Sequence, residues 1–196
     1  MDRRLAVLGL GGSTREGSGA EMLLSRTLGV AREAGMRAEL FSLGRHDVPV
    51  FRESLLVDPP PVVADLLAAV READAIVFCS PVYHGTLTGA MKNAVDHLQA
   101  LAGDERPWLT GKVAGLMAVG GNAIGGANAI SAMDHFCRAL YATTVPTAVV
   151  AAGEPLAPDD PRSDGALEER VGRMVRELAV HARASAVAMA DGLRGT

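Results

Sequence analysis

The chain has 196 residues, 48% of them hydrophobic and 21% charged, with a formal net charge of −4. That length suits one domain with a real core, and the composition excludes a disordered chain. The mild acidity supplies no basic field for nucleic acid, and no apolar run approaches the ~20 residues that span a bilayer.

Strand-like and helix-like segments alternate along the chain. Residues 5–10 (LAVLGL) read as a buried strand, short, apolar and ended by glycine. Residues 20–34 keep helical spacing at Met22, Leu23, Leu28 and Val30, and Gly35 is a natural stop. Residues 37–43 read as a second strand. A long proline-containing connection, 42–60, follows, and connections of that length often carry function or contacts between subunits. Residues 61–73 are predicted helical, with Pro60 or Pro61 in the first turn. Residues 74–79 (DAIVFC) form strand three. Residues 88–101 form a helix with Met91, Ala94, Val95, Leu98 and Leu101 on one face. Strand four is 112–119, the next helix 128–141, strand five 145–151, and a closing helix 164–190. Five apolar strands alternating with helices predict a parallel sheet covered on both faces. The expected fold is α/β: a flavodoxin-like three-layer sandwich with strand order 2-1-3-4-5, or half of a dinucleotide fold. The whole chain, 1–196, is read as one domain.

Cys79 and Cys137 lie far apart in predicted elements and form no metal-type spacing, so both read as buried reduced thiols of a cytoplasmic protein. The apolar run after Arg3 and Arg4 is interrupted by glycines too early for a signal segment. His46, His84, His97, His135 and His181 are scattered without a metal pattern and read as surface or capping residues.

Glycines gather in three loops, each after a strand: 11–19, 80–89 and 120–126. In an open parallel sheet, ligands bind outside the carboxyl ends of the strands, where strand order reverses. In order 2-1-3-4-5 that point lies between strands one and three, so two of these loops flank it and the third is next to it. The first loop completes neither familiar phosphate motif. Gly12 and Gly17 have Walker A spacing, but Ser18 and Gly19 stand where Lys and Ser/Thr are needed. Gly9 and Gly11 begin a dinucleotide fingerprint, but Thr14 replaces its third glycine. What remains is hydroxyl-rich and cationic: Ser13, Thr14, Arg15 and Ser18. Hydroxyls and backbone N–H groups at a helix N-terminus suit a single phosphate. Ser18 with Glu21 three residues on also predicts a capping box. In the second loop, SPVYHGTLTGAMKNAVDH, Pro81 is expected to end strand three, Val82 and Tyr83 to offer an apolar edge, and Gly85 to let backbone approach a flat ligand. Lys92, Asn93 and Asp96 lie on the polar face of the following helix. The third loop, GGNAIGGAN, is expected to wrap a planar polar ring with backbone groups.

These stretches resemble a family. GGSTREGS resembles the G-S-x-R-x-x-S phosphate loop of the NADPH-dependent FMN reductases, flavodoxin-like flavoenzymes that include many quinone and azo reductases. SPVYHGTLTGAMKNAVDH is similar to their P-x-Y-x-G-x-x-x-G-x-x-K-N-x-x-D segment, and HDVPVF to their D-x-P-x-F/Y stretch; the resemblance runs over about residues 5–150. It implies FMN, with its phosphate on Ser13, Arg15 and Ser18. The isoalloxazine would lie against Pro81, Val82, Tyr83, His84 and Gly85, and its pyrimidine edge near Gly120, Gly121 and Asn122. Many members carry asparagine at position 84 and proline at position 88, where this chain has His84 and Thr88.

The activity implied is transfer of hydride from NADPH or NADH to FMN and on to a quinone, azo, metal or free-flavin acceptor, with the flavin N5 rather than any protein nucleophile carrying the chemistry. A threonine near position 88 also keeps open a monooxygenase as recipient of reduced flavin. Ser131, Asp134 and His135 contain the residue types of a hydrolytic triad, but neighbours on one helical turn point apart. The alternative is a flavodoxin-like FMN-binding electron-transfer module without its own NAD(P)H activity. Apolar residues beyond one stripe on the predicted helices 88–101 and 128–141 suggest a homodimer or homotetramer.

Overall fold

The parallel sheet forms because five short apolar runs alternate with amphipathic helices too long to be turns. The computed structural model describes residues 3–153, 156, 165–190 and 192. Strands β1 (Ala6–Gly11), β2 (Arg37–Ser42), β3 (Ala75–Tyr83) and β5 (Val113–Gly120) pair in parallel in the order β2-β1-β3-β5. The expected fifth strand is present in two pieces, β6 (Thr143–Thr144) and β7 (Val149–Ala152), both parallel to β5. Pro146 sits in the gap, where a residue without an N–H interrupts a ladder. The order is that of a flavodoxin-like sheet.

Strand alternation divides the core in two. Val7, Val77, Cys79 and Met117 face α1 (Gly19–Glu33) and α5 (Ala166–Ala190), meeting Leu24, Leu28, Met174 and Leu178. Leu8, Leu10, Ile76, Phe78 and Leu116 face α2 (Pro61–Glu72), α3 (Gly89–Asp96) and α4 (Ala123–Ala139), meeting Leu66, Met91 and Phe136. The first residue expected in the closing helix, Asp164, lies outside the described residues.

Three expectations need correction. Pro81 does not end strand three. β3 runs on to Tyr83 and turns back through β4 (Thr86–Leu87). Pro81 is tolerated there because the β1 pairing stops at Cys79, which makes that end of β3 an edge on one side. The third loop is much shorter than expected, because α4 begins at Ala123 rather than 128. Asn122 caps it, its side-chain oxygen accepting from the Gly125 N–H at 2.8 Å. The helix predicted over 88–101 keeps α geometry only to Asp96 and finishes as a 3₁₀ turn, His97–Leu101.

Candidate active site at the carboxyl edge of the sheet

The first loop leaves β1 at Gly11 and enters α1 at Gly19. Ser18 caps that helix, its Oγ accepting from the Glu21 N–H at 3.2 Å. The expected capping box is half made. Glu21 does not reach back to Ser18 but turns beneath the loop, accepting from the Gly17 N–H at 3.3 Å and the Ser42 hydroxyl at 2.9 Å. Ser13 is buried and its Oγ accepts from the Arg15 N–H at 3.2 Å. The N–H groups of Ser13, Thr14 and Glu16 have no hydrogen-bond partner among the described residues. Thr14, Arg15, Glu16 and Gly17 are exposed, and the Arg15 guanidinium faces no carboxylate among the described residues. The first turn of α1 adds further unpaired N–H groups and a positive dipole end. Unpaired amides, hydroxyls and an exposed guanidinium gathered in one loop have the chemistry that suits an anion.

The β2–α2 connection closes one side of this loop. A side chain at Gly44 would stand 2.7 Å from the Glu16 nitrogen, so only glycine lets the two backbones approach. Arg45 reaches back to the buried Glu21 carboxylate. A cleft of about 300 Å³ opens between them, lined in part by Thr14, Arg45, His46 and Asn93. Asn93 accepts from the Phe51 N–H at 2.8 Å and donates to the Pro49 carbonyl at 2.9 Å. The imidazole Nε2 of His97 lies 2.9 Å from the same carbonyl. His97 is buried, which corrects its reading as a surface or capping residue; it helps pin the long loop to α3. Two of the quoted motifs, HDVPVF and the one containing Asn93, are therefore a single hydrogen-bonded unit.

The second loop is a hairpin. Val82 pairs with Leu87 and Tyr83 with Thr86, so His84 and Gly85 form a two-residue turn. Both take positive φ, 52° and 85°, the signature of a type I′ turn. Asparagine and histidine enter this region far more readily than most side chains, so His84 is a workable substitute for the family's asparagine. The hairpin signal was present in the sequence as two strand-forming pairs, Val82-Tyr83 and Thr86-Leu87, flanking His-Gly, and it is the main feature that strand-by-strand reading missed. Tyr83, His84 and Gly85 are exposed at the tip. Gly120 and Gly125 receive the Val82 side chain, each with a would-be side-chain carbon 2.9 Å from it. Gly121 and Asn122 are exposed beside it. Thr88 follows the hairpin and ties it to the first loop, its hydroxyl donating to the Gly12 carbonyl at 2.7 Å. The structure thus gathers all three loops at one edge of the sheet.

The remaining reactive side chains lie elsewhere or are muted. Cys79 and Cys137 are free and buried, as expected, and burial pushes both thiols up to about 12. Asp134 is committed to Arg138 at 2.6 Å and to the Thr144 hydroxyl at 2.8 Å, not to His135. Among the described residues, no helix is long and apolar enough to cross a membrane.

Comparisons with known proteins give the family and the fold. The family model described as NADPH-dependent FMN reductase matches residues 5–156. The chain is 31% identical over 115 residues to the NADPH azoreductase of Bacillus sp. (strain OY1-2), covering 59% of this chain and 61% of that one. It is 32% identical over 130 residues to an NAD(P)H-dependent FMN reductase of Pseudomonas aeruginosa, covering 66% and 67%. The chain therefore spans about six-tenths to two-thirds of the length of these relatives. Its backbone resembles the crystal structure of a flavodoxin, WrbA-like protein from Agrobacterium tumefaciens, with a TM-score of 0.62 at 18% identity, over 92% of this chain and 99% of that one. By its loops, its strand order and the extent of the family match, the chain belongs to the NADPH-dependent FMN reductase family on a flavodoxin-like fold.

Proposed function

We propose that this chain is a single flavodoxin-like domain that binds FMN and passes electrons from NADPH or NADH to a small-molecule acceptor, a quinone, azo compound, metal ion or free flavin. The observation that carries the reading is the set of unpaired donors in the first loop: the Ser13, Thr14 and Glu16 N–H groups, the α1 N-terminus and the free Arg15. Such a set fits a terminal phosphate and fits a neutral ligand poorly. Ser13, Arg15 and Ser18 hold that phosphate. Each charge-assisted hydrogen bond contributes about 1.5–3 kcal/mol.

The hairpin supplies the ring surface. Pro81, Val82 and Tyr83 offer apolar area. His84 and Gly85 present turn backbone to the ring edge, and Gly120, Gly121 and Asn122 close the other rim. When bound, FMN supplies a two-electron carrier that accepts hydride at N5 from a nicotinamide and yields the electrons to the acceptor. The protein's own part is to place the ring, leave one face open and donate hydrogen bonds to its polar edge. The reading extends to a cytoplasmic location, to a homodimer or homotetramer, for which the exposed Ile124 and Val50 offer apolar contact area, and to a monooxygenase as one recipient of reduced flavin.

The test is NAD(P)H consumption by purified protein with FMN and a panel of quinone, azo, ferric and free-flavin acceptors. Acceptor-dependent oxidation with ping-pong kinetics is expected. Tight FMN binding with no nicotinamide oxidation would instead assign an electron-transfer module.

A further inference from the structure

We propose that Thr88 is a positioning residue that locks the phosphate loop to the ring hairpin, so that binding of the flavin phosphate helps to place the ring; this rests on the FMN reading above. Thr88 is buried, and its hydroxyl and N–H together make three bonds in three directions. Its hydroxyl donates to the Gly12 carbonyl at 2.7 Å, at the start of the phosphate loop. The same oxygen accepts from the Met91 N–H at 3.0 Å, capping α3. Its own N–H donates to the Ser80 Oγ at 3.0 Å, and the Ser80 hydroxyl donates in turn to the Pro81 carbonyl at 2.8 Å, where the hairpin begins.

Ser80 is fully buried, and its bond from the Thr88 N–H is buried as well. The packing is as tight as the bonding. A side chain at Gly12 would stand 2.9 Å from Met91 carbons and 3.3 Å from the Thr88 hydroxyl. The first loop is also fixed to β3 by the Gly12 N–H donating to the Cys79 carbonyl at 2.8 Å. That bond fixes the loop's root to the strand. Among the described residues, the Thr88 hydroxyl makes the hydrogen bond that joins it to the segment beyond the hairpin. Proline at this position would provide neither the N–H for Ser80 nor the hydroxyl for Gly12, so the lock depends on threonine chemistry at position 88.

The consequence is a coupling between two halves of one ligand. FMN engages both loops, whereas riboflavin, which has no phosphate, engages the hairpin side. If Thr88 sets the distance between the loops, removing its hydroxyl penalises FMN more than riboflavin. A residue that merely stabilises the fold penalises both alike or neither.

The experiment is fluorescence titration of the intact protein with FMN and with riboflavin, for the wild type, Thr88→Val and Thr88→Ser. The expected result is that the riboflavin-to-FMN ratio of dissociation constants falls by at least about tenfold in Thr88→Val, the scale of one buried acceptor left unpaired. Thr88→Ser, which keeps the hydroxyl, retains the ratio to within about threefold. Amide hydrogen exchange of the free protein should speed up at residues 13–17 and 83–87 together in the Val variant and not in the Ser variant. If Thr88→Val does not fold, Thr88→Ala removes the hydroxyl without adding a methyl beside Gly12 and is read the same way. An unchanged ratio, or equal loss for both flavins, overturns the inference while leaving FMN binding intact. A wild type that binds neither flavin overturns the FMN reading and this inference with it.

Discussion

Arg45 lies across the buried carboxylate of Glu21, with its Nη2 2.6 Å and its Nε 2.8 Å from the same oxygen. The other oxygen accepts from Ser42 and from Gly17, so the carboxylate is satisfied on both sides. This matters because Glu21 sits directly under the loop that we assign to a phosphate. Without Arg45 that loop would face a buried negative charge.

Arg45→Met should therefore lower stability by about 1–3 kcal/mol, the cost of an unpaired buried acceptor, moderated because the guanidinium is half exposed. It should also weaken FMN binding. Adding Glu21→Gln should recover part of the stability loss, since removing both charges is milder than removing one. A double-mutant cycle by urea denaturation checks this, and strictly additive losses would contradict it.

The turn at His84 and Gly85 makes a second prediction. With φ at 52°, position 84 accepts asparagine without strain, so His84→Asn should leave stability within about 0.5 kcal/mol of the wild type. His84→Val places a β-branched residue in the left-handed region and should cost about 1–2 kcal/mol. Denaturation midpoints of the two variants, with hydrogen exchange at Tyr83 and Thr86, provide the measurement.

Lys112 makes a prediction about pH at the opposite end of the sheet. Its ammonium is buried and donates to the Ala73 carbonyl at 2.7 Å and the Arg71 carbonyl at 3.0 Å, finishing α2. Burial, with Arg106 adding to it, lowers its pKa from 10.5 to about 8. Between those values the unfolded chain keeps a proton that the folded chain has lost. Unfolding free energy from this group therefore rises with pH across that window, by on the order of 2–3 kcal/mol. Lys112→Met should remove that rise. Urea denaturation of wild type and variant at about pH 8 and about pH 10 reads the difference. A wild-type-minus-variant difference that does not change with pH would contradict the assignment.

Much of this molecule was legible from residue order alone. The runs LAVLGL and AIVFC are apolar throughout because their strands are buried on both faces, and that pattern does not depend on tertiary detail. The three glycine-rich loops fell at one edge because parallel strands all end there. What escaped was decided by contacts across the fold. Gly125 and Gly126 look like loop residues, yet they lie in α4, and they are glycine because Val82 and Val150 occupy the space their side chains would need. Asn93 and His97 read as polar-face and surface residues until the long loop is seen folded onto them. Arg45 carried no motif at all; its partner lies 24 positions earlier.

Equilibrium titration of the purified protein with FMN, run beside Arg15→Ala, tests the central claim most directly. The Arg15 guanidinium is exposed and makes no ion pair within the described residues, so its removal should leave the melting temperature essentially unchanged. The account predicts saturable binding of one FMN per chain, weakened about tenfold or more in the variant, as one charge-assisted contact requires. Equal FMN affinity in the two proteins, or no saturable binding by the wild type, would contradict it.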